Sequence, residues 1–252
     1  MKHLRQLIVD SDASNVRLID IPVSKFNKSL ALNLGIYCSQ APSIFVLDAD
    51  IMLRTDILTE AQPLLEDNSF VTVAKVLESD LPPASAESIA TLMRHLGNDS
   101  FVTSIVQSNA VTLCFRDGTS VSIPTFKRYS IDGSRAGCGL LLVAKRHIVA
   151  IGGYNSALEH WGWEDNDVQL RLKRTLSLSE VEIGQAVHVT HGDDLRDLSG
   201  RSSVQTSIAN FLTTCSRYAK GDFEGTYRDD LMLWKDRLKE CNPVASQGES
   251  TS

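Results

Sequence analysis

Asp48-Ala49-Asp50 follows the apolar run Ser43 to Leu47, so two carboxylates one residue apart close what reads as a buried strand. Ligands of open α/β sheets bind outside the strand ends, and carboxylates are hard oxygen ligands. The pair therefore suits a divalent cation, Mn2+ or Mg2+, that bridges a diphosphate. A polar strand-to-loop exit is the plainer reading of an isolated D-x-D. In Trp161-Gly162-Trp163-Glu164-Asp165-Asn166-Asp167 aromatic rings stand beside dense acids. Rings stack on the apolar faces of sugars, and a carboxylate can take the proton of an attacking hydroxyl. An acidic helix start with two core tryptophans is the alternative, since the helix dipole favours such acids. In His188-Val189-Thr190-His191, strand alternation sends the imidazoles to opposite faces. A strand ending at Thr190 lets the turn bring both to one metal, and an imidazole beside Asp50 favours Mn2+ over Mg2+. A packed or solvent-facing histidine is the alternative for each.

These groups need elements to hold them. Gln6 to Val9 and Val16 to Ile21 read as strands around a polar turn. From Phe26 the spacing of Leu30, Leu34 and Tyr37 predicts an amphipathic helix capped by Ser24 or Asn27. A strand over Ser43 to Leu47 follows, and strand, helix, strand implies a parallel pair with a crossover. Phe70 to Val76 reads as a strand and Ala86 to Leu96 as a helix. Asp117-Gly118 between Val111 to Phe115 and Ser120 to Ile123 signals a hairpin. Strands are expected at Leu140 to Ala144 and Ala186 to Thr190. Helices are expected at Arg146 to Ile151, Glu164 to Arg174, Val204 to Tyr218 and Asp229 to Glu240.

A chain of 252 residues with 42% hydrophobic content has ample core for one large domain. Apolar runs are strand-sized, which predicts no transmembrane segment, and the start lacks the features of a signal peptide, which predicts a cytoplasmic protein, with a peripheral membrane location as a variant. Five scattered cysteines without C-x-x-C spacing suggest neither a disulfide framework nor a zinc knot. A net charge of −6 and no basic run argue against nucleic acid as a partner. Small molecules or saccharides fit better.

Taken in order, these segments resemble the family-2 and family-7 glycosyltransferases with the GT-A fold. Phe26 to Gly35 resembles their F-N-[KR]-x-x-x-L-N-x-G segment, and Phe45 to Met52 their metal-binding strand. Ala136-Gly137-Cys138-Gly139 through Gly152-Gly153-Tyr154, with W-G-x-E-D at Trp161 to Asp165, resembles the carboxyl-terminal domain of beta-1,4-galactosyltransferases and bacterial chondroitin-type polymerases. The resemblance covers residues 6 to 54 and 136 to 194. It implies a Rossmann-like α/β domain with a mixed, mostly parallel sheet flanked by helices. Within a single domain over 1–244, it suggests a nucleotide-binding part (1–76), an acceptor-side insert (77–135), an acceptor and catalytic part (136–200) and C-terminal helices (201–244). The Gly- and Ser-rich tail 245–252 reads as disordered.

The same resemblance implies an inverting transfer of a hexose or N-acetylhexosamine from a UDP-sugar to a saccharide hydroxyl. Asp50 and His191 match metal ligands, and His188 stands where the galactosyltransferases place a methionine ligand. Asp165 matches the base, and Glu164 a residue that binds sugar hydroxyls. Trp161 or Trp163 stacks on the sugar, with Gly139 on the substrate side. Asn27 and Lys28 match nucleotide contacts, Asp10 resembles the acid that meets uracil, and Asp48 faces the cofactor. Two features depart from the family. The Gly-Gly of W-G-W-G-G-E-D-D-D is missing before Glu164, which favours Trp161 as the stacking ring by ungapped spacing. The chain opens at what resembles the second strand, so against the family pattern a βα unit of about thirty residues is expected to be missing, which would leave a sheet edge for a homodimer or a partner strand. A sugar-nucleotide or saccharide-binding protein that has lost catalysis is the rival reading. A metal-dependent hydrolase using His188, His191, Asp193 and Asp194 is a third.

Overall fold

The computed structural model describes residues 16–65, 68–79, 106–107, 110–124, 129–130, 134–192 and 200–241. The expected strand at Gln6 to Val9, the helix at Ala86 to Leu96 and the tail lie outside them, as do Asp10, Asp193 and Asp194. In chain order the strands are β1 (Leu18–Asp20), β2 (Ser43–Phe45), β3 (Ile51–Leu53), β4 (Ser69–Glu78), β5 (Val106–Gln107) and β6 (Ala110–Cys114). They continue with β7 (Ser120–Pro124), β8 (Tyr129–Ser130), β9 (Arg135–Ala144), β10 (Ser179–His188) and β11 (Lys239–Cys241). The α-helices are α1 (Lys28–Cys38), α2 (Ile57–Ala61), α3 (Lys145–Ala150), α4 (Glu164–Leu176), α5 (Ser203–Tyr218) and α6 (Tyr227–Trp234).

A mixed sheet in the order β2-β9-β4-β10-β3 forms the centre. Apolar side chains cover both of its faces. On one face Leu141, Val143, Phe70, Ile36, Val168 and Leu172 pack together, bringing in α1 and α4. On the other, Leu140, Val73, Val76 and Ala186 meet Ile57 of α2. Leu140 and Leu141 thus serve opposite faces, as the two-residue period of a strand requires.

The sheet is mixed, but the expectation that it is mostly parallel is corrected. β4 and β10 pair in parallel, whereas β2–β9, β4–β9 and β10–β3 are antiparallel. The inference from strand, helix, strand also fails at β1, which pairs with β11 in a separate ribbon instead of joining β2. The reason is shared. A crossover rule assumes that neighbours in sequence are neighbours in the sheet, yet β9 returns from a distant segment and enters between β2 and β4. At one edge lies β2, paired only with β9 among the described residues.

Element ends follow local chemistry. Asn27 caps α1, its side chain accepting from the Leu30 N–H at 2.9 Å. A reciprocal Ser202 and Gln205 box opens α5. The Asp117-Gly118 hairpin forms as expected, with Gly118 at φ +83°. β10 begins at Ser179, seven residues before the predicted Ala186; the stretch ahead of Ala186 is not fully buried and carries Glu180, Glu182 and Gln185, which hides its strand pattern. The terminal helix stops at Trp234 and gives way to a short 3-10 turn and β11.

Buried polar groups lock the helices that matter for the site. Arg171 of α4 has no exposed surface; its Nε and Nη2 donate to Asp167 Oδ2 at 2.9 and 2.7 Å, and its Nη1 to the Ile151 and Gly153 carbonyls at 2.7 Å. Asn33 of α1 donates to the Tyr154 carbonyl and to Asp230 of α6, and accepts from the Tyr154 N–H. A Cβ on Gly153 would lie 2.4 Å from Asn33 Oδ1, and its φ of +67° is strained for any other residue. These contacts explain why the L-N-x-G and G-G-Y segments occur together: each needs the other for close packing.

Candidate active site: two polar clusters joined by Asp48-Ala49-Asp50

Asp48-Ala49-Asp50 occupies a turn, since β2 ends at Phe45 and the Ile51 N–H donates to the Asp48 carbonyl at 3.2 Å. The turn sends the two carboxylates to different neighbours. Asp48 Oδ1 lies 3.2 Å from Lys28 Nζ, while Asp50 Oδ2 lies 3.0 Å from His191 Nε2 and 3.4 Å from His188 Nε2. Two residues of chain span at most about 7 Å, so the clusters are neighbours.

The histidine cluster depends on strand register. His188 ends β10, facing Ile51 of β3 on one side and Glu78 of β4 on the other. The ladder closes just past it, where the Val189 N–H donates to the Asp50 carbonyl at 2.7 Å. Alternation then lapses, and the turn brings His191 back beside His188, with ring centroids 5.4 Å apart. Asp50, His188 and His191 each offer a ligand atom within 4.8 Å of the others.

Their outer atoms are already engaged. His188 Nδ1 donates to Glu78 Oε2 at 2.6 Å and His191 Nδ1 to the Gly192 carbonyl at 3.0 Å. In neutral imidazoles both Nε2 atoms then direct lone pairs at the Asp50 carboxylate, whose Oδ1 is buried without a hydrogen-bond partner. Lone pairs converging on one point repel unless something positive lies among them. Two imidazoles and a carboxylate are a donor set suited to a divalent transition metal, so the residues fit such an ion.

The carboxylate cluster is built around Lys28. At the first position of α1, its Nζ lies 3.1 Å from Asp165 Oδ2 and 3.7 Å from Glu164 Oε1 as well as beside Asp48. Burial opposes the charge of Lys28, but Asp165, Glu164 and Asp48 outweigh it and hold its pKa well above the ordinary lysine value. Glu164 is nearly fully buried; burial first, and the charge of Asp165 second, push its carboxyl up to about 7 against the pull of Lys28. Glu164 Oε2 and Asp165 Oδ1 are buried without hydrogen-bond partners.

The remaining site candidates fall into different environments. Trp163, expected as a possible stacking ring, packs edge-on against Phe211 at 4.6 Å and is only 7% exposed among Val121, Leu158 and Leu170. That assignment is corrected, because a ring with both faces in the core has none for a sugar. Trp161 is 40% exposed, on a loop where His160 and Trp163 both adopt left-handed φ, of 62° and 75°. Such backbone is strained for non-glycine residues and persists only where the surroundings enforce it. Here Asn210 of α5 does so, donating to the Glu159 and Gly162 carbonyls. Asn27, expected as a nucleotide contact, also has a structural role: its Oδ1 caps α1 and its Nδ2 donates to the Ser156 carbonyl at 2.8 Å. Gly139 makes room for the candidate base, since a Cβ there would lie 2.6 Å from Asp165 Oδ2.

Residues 119–192 match the family model described as the N-terminal domain of galactosyltransferase. This supports a galactosyltransferase-like glycosyltransferase. The match starts within the stretch expected as a variable insert and runs from the β6–β7 hairpin through Trp161, Glu164, Asp165, His188 and His191. Lys28, Asp48 and Asp50 lie outside it. No curated protein matches the chain.

Sequence reasoning missed Glu78 and Arg135. Glu78 holds His188, and Arg135 Nε donates to Glu78 Oε1 at 2.8 Å. The expected strand ends at Val76, and nothing local marks Glu78 as more than a polar strand exit. Only the β4–β10 register sets it opposite His188.

Proposed function

We propose that the protein is a metal-dependent inverting glycosyltransferase that moves a hexose or N-acetylhexosamine from a UDP-sugar to a saccharide hydroxyl. The observation that carries this reading is the split of Asp48-Ala49-Asp50, one arm on the cluster that holds Asp165 and the other on the two histidines. A base for the acceptor and a metal site for the leaving diphosphate then adjoin across three residues of chain.

Asp50, His188 and His191 would hold Mn2+ or Mg2+, which when bound neutralises charge on the departing diphosphate. Asp165 accepts the proton of the acceptor hydroxyl at its carboxylate. The new bond forms from that oxygen to the anomeric carbon as the bond from that carbon to the UDP oxygen breaks, through an oxocarbenium-like state. Lys28 holds Asp165 in place, its Nζ 3.1 Å from Asp165 Oδ2. Glu164 hydrogen-bonds sugar hydroxyls, which would satisfy the buried Oε2, and Trp161 offers its ring to the acceptor.

A panel of UDP-sugars scored for UDP release, with and without Mn2+, tests this reading. The expected result is Mn2+-dependent release with one donor class in the presence of a saccharide. In the Asp165→Asn variant release falls at least 100-fold while donor binding by calorimetry is retained, in line with the loss of a general base. Tight donor binding with no release from the unaltered protein would favour a binding protein instead, and full turnover by Asp165→Asn would remove that residue from the chemistry.

A further inference from the structure

We propose that Glu78, held by Arg135, is a positioning residue that aims both histidines of the cluster at one point and thereby sets the affinity for the metal. The inference rests on the metal reading given above. Glu78 is buried at the end of β4, where a bare carboxylate would be costly, and Arg135, His188 and Thr190 offset that cost. Arg135 Nε donates to Oε1 at 2.8 Å, so one oxygen faces a guanidinium from the adjacent strand β9. The other oxygen takes two bonds, from His188 Nδ1 at 2.6 Å and from Thr190 Oγ1 at 3.2 Å.

The first of those bonds decides a tautomer. A carboxylate only accepts, so in the neutral imidazole the His188 proton sits on Nδ1 and the lone pair on Nε2, the atom 3.4 Å from Asp50. Without Glu78 the proton is free to move to Nε2, and the imidazole would then present a donor where a ligand is needed. The second bond reaches beyond the strand. Thr190 lies between His188 and His191, and its N–H also donates to Ser79 Oγ at 3.0 Å. Glu78 and Ser79 together therefore hold the turn that carries His191 back to Asp50. One side chain thus orients the first imidazole directly and the second through the backbone. A carboxylate behind a ligating histidine fixes its ring and raises its basicity, and losing such a partner weakens metal binding about 10–100-fold.

The test is Mn2+ titration of the full chain, read from the paramagnetic resonance signal of the free ion, on the unaltered protein, Asp50→Ala, Glu78→Gln and the double variant Glu78→Ala with Arg135→Met. The double variant is used because Glu78→Ala alone strands a guanidinium. Circular dichroism and thermal melting without metal establish that each variant folds. The expected result is Mn2+ binding that Asp50→Ala abolishes, that the double variant weakens about 10–100-fold, and that Glu78→Gln, which keeps an acceptor, weakens less. Histidine nitrogen spectra of the metal-free protein should show His188 as the Nδ1–H tautomer, and that preference should vanish in the double variant. A purely structural role for Glu78 would leave the affinity and the tautomer of the folded variants unchanged, and that result overturns the proposal alone. Failure of the unaltered protein to bind Mn2+ overturns the metal reading and this proposal with it.

Discussion

At the scale of single residues, Glu164 and Asp165 are adjacent in sequence but differently placed. Asp165 lies within 3.1 Å of Lys28 and against Gly139, whereas Glu164 is buried more deeply and its carboxyl is pushed from an ordinary 4.5 up to about 7. A carboxyl whose folded-state pKa is raised binds its proton more tightly when folded, so stability falls as pH rises from about 4.5 through 7, and the full cost is present above that. The Glu164→Gln variant has no such proton to lose. Its stability relative to the unaltered protein should therefore improve between pH 5 and pH 8, by on the order of 2 kcal/mol, as read from urea unfolding midpoints. A difference that stayed constant across this range would show that Glu164 is not held protonated. The neighbouring sequence contained the acids themselves but no sign of which one would be desolvated, because that depends on Lys28 and on the strand that passes over them.

Among the elements, the loop ahead of α4 separates two tryptophans that the sequence distinguished only by spacing, in favour of Trp161 as the stacking ring. Trp163 fills the small core between the β6–β7 hairpin, α4 and α5, and its replacement by alanine should cost about 3–5 kcal/mol of stability. Replacing Trp161, which is exposed, should leave the thermal midpoint nearly unchanged and raise KM for the saccharide acceptor about tenfold or more, the direct sign of lost stacking. Equal destabilisation by both variants would contradict this division. The helices were legible because caps and apolar periodicity are local: Asn27 at α1, the Ser202 and Gln205 box at α5, and the acid-first, base-last pattern of α4 all act within one turn. Strand ends were less so. β4 runs two residues past the Val76 expected to end it, through Leu77 to Glu78.

On the whole-molecule scale, the histidine cluster draws on β10, the turn after it and the turn before β3, with β4 and β9 behind it. An ion bound there ties together segments that are distant in sequence and exist as a site only in the folded chain. Binding to the native state alone stabilises it by mass action, about 2.7 kcal/mol at a hundredfold excess over Kd. Mn2+ should accordingly raise the thermal midpoint of the unaltered protein and leave that of Asp50→Ala where it was; an equal shift in both would place the ion elsewhere. What the sequence determined by itself was the set of reactive side chains and the helices and hairpin that follow local rules. Asp48-Ala49-Asp50, the acids of α4 and the two histidines are all visible as residue types whose chemistry does not depend on a fold. The tertiary structure decided which of them meet. It sent Asp48 to Lys28 and Asp50 to the histidines, ended strand alternation so that His188 and His191 converge, took Trp163 into the core and brought Glu78 to His188. Each of these depends on sheet order and register, and those are set by packing across the whole chain, which no stretch of sequence encodes alone.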